Sequence, residues 1–376
     1  MGHGGRSLEN LVSTDSSAPF GVFYLGKRVL VTGHTGFKGG WLTMWLHSLG
    51  ASVHGYALDP STEPGLFEAA AVGRVLGSDI RADLADLGRL RLAFDEVKPE
   101  IVFHLAAQPL VRASYQNPLG TFATNVMGTA NVLETARSCG SVRAVIAITT
   151  DKVYQNREWD HPYREVDPLG GHDPYSASKA AAEIVAAGYR ASFFESANGH
   201  PARIVTARAG NVIGGGDWSP DRLIPDCLVA FSKRAPVRLR FPAAVRPWQH
   251  VLEPLSGYLQ LAMLACSSDG SAFARAWNFG PGPDGDATVG NVAQALARLW
   301  GPEARVEIEP ATDHPHEAGL LRLDSTLART KLGWRPRWSL EKALSRTIEW
   351  HKAWAGGAAM DEITLAQIAE YTGEGK

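Results

Sequence analysis

From Lys27 onward the chain alternates short β-branched runs with helix-forming segments. RVLVTG, ASVHGYALD, IVFHLAA, AVIAITT and RIVTARAG read as strands, each bounded by glycine, proline or polar residues. GGWLTMWLHSLG and TANVLETARSCG read as helices between them. Strands that are apolar on both faces need cover on both faces. The pattern therefore predicts an α/β fold, a parallel sheet with helices on each side. After Gly210 the texture changes to loops rich in Gly, Pro and Trp, such as GNVIGGGDWSPDRLIPD and FPAAVRPWQHV, where ligand-specific structure is expected to begin. SLEKALSRTIEWHKAW reads as a late helix capped by Ser339, and its tryptophans, with Trp334 and Trp338, as packing residues.

Composition narrows the function classes. At 376 residues, 45% hydrophobic and 20% charged, the chain has the material for a large core. Lys plus Arg (37) nearly balances Asp plus Glu (39), so no global field draws it to nucleic acid or to an anionic membrane. Cys139, Cys227 and Cys266 lie far apart and form no CxxC pair, which predicts a reducing, cytoplasmic setting without disulfides or a thiolate metal site. No run approaches the roughly 18 apolar residues of a membrane span. HPHE, His314 to Glu317, lacks the helical spacing of a zinc pair; we expect no metal and leave His316 and Glu317 as contacts of the substrate lobe. Residues 1–19, polar and rich in Gly and Ser, are read as a mobile extension.

VLVTGHTGFKGGWL places Gly33, Gly36 and Gly39 between a strand and a helix. Such a turn lets a pyrophosphate approach the free N–H groups of the helix N-terminus. A glycine triplet alone also serves plain strand-to-helix geometry. Here Asp59 follows at the end of the next strand, placed to accept ribose hydroxyls, and Asp79 with Ile80 ends a third strand beside an adenine. The acid favours NAD; Arg81 keeps NADP open.

YSASKAAAE sets Tyr175 and Lys179 four apart on one helix face. A nearby ammonium favours the phenolate, making tyrosine a usable base; the plain alternative is a surface contact. Thr150, Asp151 and Lys152 leave the end of AVIAITT, at the edge of the sheet where ligands bind.

TGHTGFKG, TTDKVY and YSASK together resemble the extended short-chain dehydrogenase/reductase superfamily, over nearly the whole chain from Phe20. TGHTGFKGGWL, HLAAQPLVRASYQNP, TTDKVYQN, RAGNVIGGGDW and RPWQHVLEPLSGYL resemble, within it, the CDP-glucose 4,6-dehydratases. Asp151-Lys152 is the discriminating piece: dTDP-glucose dehydratases carry Asp-Glu there, and 4-epimerases a small polar residue. The resemblance implies a Rossmann-type doubly wound domain over 20–210. A smaller nucleotide-sugar lobe would occupy 211–376, with segments near 246–281 returning to the first domain.

It further implies NAD-dependent oxidation at C4, loss of water across C5 and C6, and hydride return to C6, in a cytoplasmic homodimer of a deoxysugar pathway. Tyr175, Thr150 and Lys179 would handle the C4 hydroxyl and Asp151 the departing C6 hydroxyl. Lys152 would take the C5 proton as a base, or stay charged and stabilise the enolate. Phe37, Lys38, Leu105, Ala106, Ala107 and Asn125 would join the glycines, Asp59, Asp79, Ile80, Tyr175 and Lys179 around the cofactor. His104, Gln108, Asn211, Arg222 and Arg246 would meet the substrate, the arginines as a clamp on its pyrophosphate. A nucleotide-sugar 4-epimerase and a non-catalytic NAD-binding sensor are the competing readings.

Overall fold

Burial along the strands explains the architecture. Every residue of Ala144–Ile148 and of Ile101–His104 is buried, as is all of Arg28–Thr32 except the arginine, so these strands lie inside a covered sheet. The computed structural model describes residues 18–195, 199–282, 285–308 and 318–373. In chain order its strands are β1 (Arg28–Thr32), β2 (Ser52–Ala57), β3 (Ser78–Arg81), β4 (Ile101–His104), β5 (Ala144–Ile148), β6 (Arg203–Ala209), β7 (Asn211–Ile213), β8 (Pro236–Leu239), β9 (Val245–His250), β10 (Ala276–Phe279), β11 (Asp286–Thr288) and β12 (Arg305–Ile308).

The main sheet runs β10-β6-β5-β4-β1-β2-β3, and all of its pairings are parallel. Successive strands are added to one side as far as β3 and to the other from β4 on, so the strand order reverses between β1 and β4, which makes a crevice at the carboxyl ends of these strands. One face packs on helices Phe37–Ser48 and Leu252–Ala265 through Trp41, Trp45, Leu255 and Tyr258. The other packs on helices Leu87–Val97, Gly128–Ser138 and Pro174–Tyr189 through Phe94, Leu133 and Ala186.

A second layer holds two small sheets, β11-β9-β7 and β12-β8, with helices Leu223–Ser232, Val289–Trp300 and Leu340–Ala355 around a core of their own. Ser339 caps the last of these, its hydroxyl accepting from Lys342 N at 3.2 Å. Trp334 and Trp350 are buried in the core that joins helix Phe37–Ser48 to the main sheet, and Trp338 packs against that core, as the sequence predicts for packing residues. Helix Met360–Thr372 then folds back so that Tyr371 meets Trp45 edge-on, ring centroids 5.6 Å apart.

The extension expected over 1–19 falls outside the described residues up to residue 17, and helix Ala18–Tyr24 already begins within its last two positions. His314–Glu317 also lies outside them. Among the described residues, no helix is long and apolar enough to cross a membrane.

Candidate active site

The glycine turn is set by two close backbone approaches. Gly33 has φ +77°, and a Cβ there would lie 2.7 Å from the backbone nitrogen of Ala106. A Cβ on Gly39 would lie 2.0 Å from the Gly33 carbonyl oxygen, so the helix could not seat against the turn. Gly36 is the N-cap, and no side chain caps the helix it opens. These free N–H groups beside a bare glycine surface fit the pyrophosphate of a dinucleotide. Phe37 and Lys38 open the helix, and Ala106 N donates to Thr32 Oγ1 at 3.2 Å, which holds the Leu105–Ala107 segment against the turn.

At the ribose end, the Asp59 side chain is almost fully exposed, with Arg81 NH1 at 3.4 Å. Arg81 also grips Asp79 with two hydrogen bonds of 2.7 and 2.8 Å, and His34 Nε2 meets the same carboxylate at 2.8 Å. Burial pushes the Asp79 carboxyl up, but Arg81 and His34 outweigh it and hold it below its ordinary value. Two carboxylates thus neutralise the arginine that kept NADP open, and the region suits an uncharged ribose hydroxyl over a 2′-phosphate. The Ile80 side chain is buried in the core with Tyr56 and Leu84.

The chemical end lies where β5 stops. Thr150 Oγ1 donates to Asp151 Oδ1 at 2.9 Å and lies within hydrogen-bond reach of the Tyr175 hydroxyl, where it favours the phenolate. Asp151 is buried, and its Oδ2 has no hydrogen-bond partner among the described residues. Desolvation raises the Asp151 pKa, although Lys152, Thr150, Arg246 and Lys38 all act to lower it. Burial therefore favours the protonated form of this acid. Half-buried Lys152 follows on a short 3-10 turn, its backbone N–H donating to Thr150 Oγ1 at 3.4 Å.

Helix Pro174–Tyr189 begins with a capping box between Asp173 and Ser176 and a proline in its first turn, which fixes the start of the turn that carries Tyr175. Lys179 Nζ donates to the Ile148 carbonyl at 3.0 Å, so the buried lysine is tied to the end of β5. Burial lowers its pKa to about 8. The expected ease of phenolate formation is not seen in the protein alone: burial pushes Tyr175 up to about 12, with only Thr150 and Arg222 acting against it strongly. Lys38 is pushed down to about 7 by burial, then by Arg222 and Lys179. Lys38, Lys152, Lys179, Arg222 and Arg246 surround Asp151 and Asp217, a positive cleft matched to diphosphates.

Several expected ligand contacts turn inward. His104 is buried, with Nδ1 at 2.8 Å from Thr32 Oγ1 and Nε2 at 3.0 Å from Thr129 Oγ1, so neither ring nitrogen is left for a sugar. Asn125 exchanges hydrogen bonds with the Gln108 backbone and donates to Ser178 Oγ at 2.8 Å. The Gln108 side chain is engaged by Leu110 and Thr121. These groups brace the loop after β4 against the catalytic helix. Arg222 pairs with Asp217 at 3.1 Å beside Lys38 and Tyr175, Arg246 is buried in β9, and Asn211 opens β7 beside it. Sequence reasoning missed Asp217, although it lies within the quoted GGGDW, and missed Glu183, four residues beyond Lys179 on the same face.

A family model described as GDP-mannose 4,6 dehydratase matches residues 30–253. A CDP-glucose 4,6-dehydratase of Salmonella typhimurium is 50% identical over 351 residues, covering 93% of this chain and 97% of that one. A dTDP-glucose 4,6-dehydratase of Streptomyces griseus is 29% identical, covering 87% and 95%. Among solved structures, an epimerase of Methanothermobacter thermautotrophicus superposes with TM-score 0.76 at 25% identity, over 91% of this chain and 97% of that one. A dTDP-glucose 4,6-dehydratase of Bacillus anthracis in complex with NAD gives 0.72 at 20% identity, over 88% and 98%.

Proposed function

This chain belongs to the GDP-mannose 4,6-dehydratase family, within the extended short-chain dehydrogenase/reductases, and from that premise we propose that it dehydrates CDP-D-glucose to CDP-4-keto-6-deoxy-D-glucose. Bound NAD supplies the acceptor for the C4 hydride and the donor that returns it at C6. Tyr175, as the phenolate, takes the proton of the C4 hydroxyl, with Thr150 and Arg222 favouring that form in the protein and Lys179, one turn along the same helix face, adding positive charge beside it. The 4-ketone acidifies C5; Lys152 removes that proton, and Asp151 protonates the C6 hydroxyl as it leaves. Arg222 and Arg246 meet the diphosphate of the sugar nucleotide.

One observation carries this reading: a buried carboxyl, one oxygen of which has no hydrogen-bond partner among the described residues and whose pKa desolvation raises, stands one residue beyond the threonine beside the catalytic tyrosine. Epimerisation needs no such acid. Incubation with CDP-glucose and NAD is expected to produce the alkaline absorbance of a 4-keto-6-deoxy sugar. A folded, NAD-binding protein that gives no such signal with any nucleotide glucose sinks the assignment, and a hexose product without the keto signal turns it to an epimerase. For Lys152→Met we expect C4 oxidation to persist and solvent deuterium exchange at C5 to stop. Undiminished exchange removes the lysine as base.

We divide the chain near Gly210, with β10 completing the first domain's sheet. A homodimer is supported by exposed Leu119, Met127 and Ile184, which lie on helices that pack together, and a reducing cytoplasm by three free cysteines.

A further inference from the structure

The helix that carries Tyr175 and Lys179 also carries Glu183, one turn farther along the same face. Its carboxylate is buried and satisfied at both oxygens. Oε1 accepts from Thr149 Oγ1 at 2.6 Å and Arg208 Nε at 2.9 Å; Oε2 accepts from Thr206 Oγ1 at 2.6 Å and Arg208 NH2 at 3.1 Å. Arg208, in β6 and equally buried, donates from NH1 to the Tyr154 hydroxyl at 2.8 Å, which donates to Asn278 Oδ1 in β10 at 2.6 Å. Thr149 precedes Thr150 and Tyr154 follows Lys152 closely. Both ends of the reactive stretch are therefore fastened to one ion pair, which is fastened to the catalytic helix.

We propose that Glu183 and Arg208 are positioning residues that hold Thr150, Asp151 and Lys152 in register with Tyr175 and keep Lys179 in its ammonium form; this rests on the dehydratase reading above. Lys179 also faces Lys38, which repels it, and His104, which burial keeps neutral; Glu183 is the anion that favours its charge. Tyr175 faces Arg222, Asp151, Asp173 and Tyr258, and Glu183 itself faces Arg190 and Arg208. Removing the Glu183 charge lets burial discharge Lys179 at lower pH, so the phenolate forms less readily.

The test compares wild type with Glu183→Gln and with Glu183→Gln/Arg208→Met, which leaves no unpaired buried charge should the single variant fail to fold. We expect kcat at pH 7 to fall about tenfold with KM for CDP-glucose within about threefold, and the acid limb of kcat to move up by about one pH unit. Glu183→Asp should restore most of the rate. In cofactor-free protein labelled with 13C-lysine, the Lys179 ε-carbon, assigned by its loss in Lys179→Met, should titrate at lower pH in the variants. A folded double variant with the wild-type pH profile, or a uniform loss of rate with that limb and the Lys179 titration unmoved, overturns the inference. Wild-type protein that fails to turn over CDP-glucose breaks the dehydratase reading instead, and the lysine titration still decides this one.

Discussion

Asp151 and Glu183 are buried carboxylates that hydrogen-bond adjacent threonines, Thr150 and Thr149, yet they titrate in opposite directions. Both are pushed up by desolvation. For Glu183 the bidentate Arg208 and two threonine hydroxyls outweigh burial and lower the pKa; for Asp151, with Oδ2 unpartnered, burial wins. The depth of a carboxyl therefore does not set its chemistry. The number of donors aimed at it does, and a site can place a proton-donating acid beside a permanent anion by distributing donors unevenly.

The sharpest way to break this contrast is Asp151→Asn, which keeps the shape and removes the transferable proton. Dehydration should fall roughly 10³-fold, about 4 kcal/mol of barrier, followed through the 4-keto absorbance. A loss of threefold or less would mean another group protonates the leaving hydroxyl.

The next largest effect is on stability and should have opposite signs at the two sites. Glu183→Gln leaves Arg208 buried without its anion and should cost about 3 kcal/mol in urea unfolding at pH 7. Asp151→Asn removes a carboxylate that folding disfavours and should stabilise by about 1 kcal/mol under the same conditions. Destabilisation by both variants would reduce the contrast to ordinary packing.

The smallest effect is in the pH dependence. The folded pKa of Glu183 is depressed, so its contribution is complete above its unfolded value near 4.5 and is lost as pH falls through the folded value. Asp151 is raised, so folding gains from its proton fully below about 3.8, and that gain disappears as pH climbs through the folded value. Plotted against pH, the Glu183→Gln deficit should shrink toward acid. The Asp151→Asn advantage should shrink toward acid as well, from the other side of zero.

What the sequence revealed was local. The turn around Gly33, Gly36 and Gly39, the strand ending at Thr150 and the helical spacing of Tyr175 and Lys179 are properties of neighbouring residues, and periodicity exposes them. What stayed hidden depends on partners brought together by the sheet. Glu183 is visible at helical spacing from Lys179, but its value comes from Arg208 on β6, and no spacing rule joins them. The surroundings of His104 were hidden for the same reason: Thr32 on β1 and Thr129 on a separate helix meet its two ring nitrogens. The pKa of Tyr175 was misjudged because one helical turn showed the lysine and not the depth of the pocket.

Tyr371 against Trp45 puts helix Met360–Thr372 in contact with the first long helix, and β10 supplies the edge of a sheet whose other strands all come earlier. During synthesis the glycine-turn helix emerges with part of its apolar face waiting for residues still to be made. At roughly 5–20 residues per second, that wait is on the order of half a minute. The nucleotide-binding half therefore completes its packing only after Tyr371 has emerged, and a nascent chain or one cut before Tyr371 presents Trp45 to whatever chaperone or neighbouring chain it meets first.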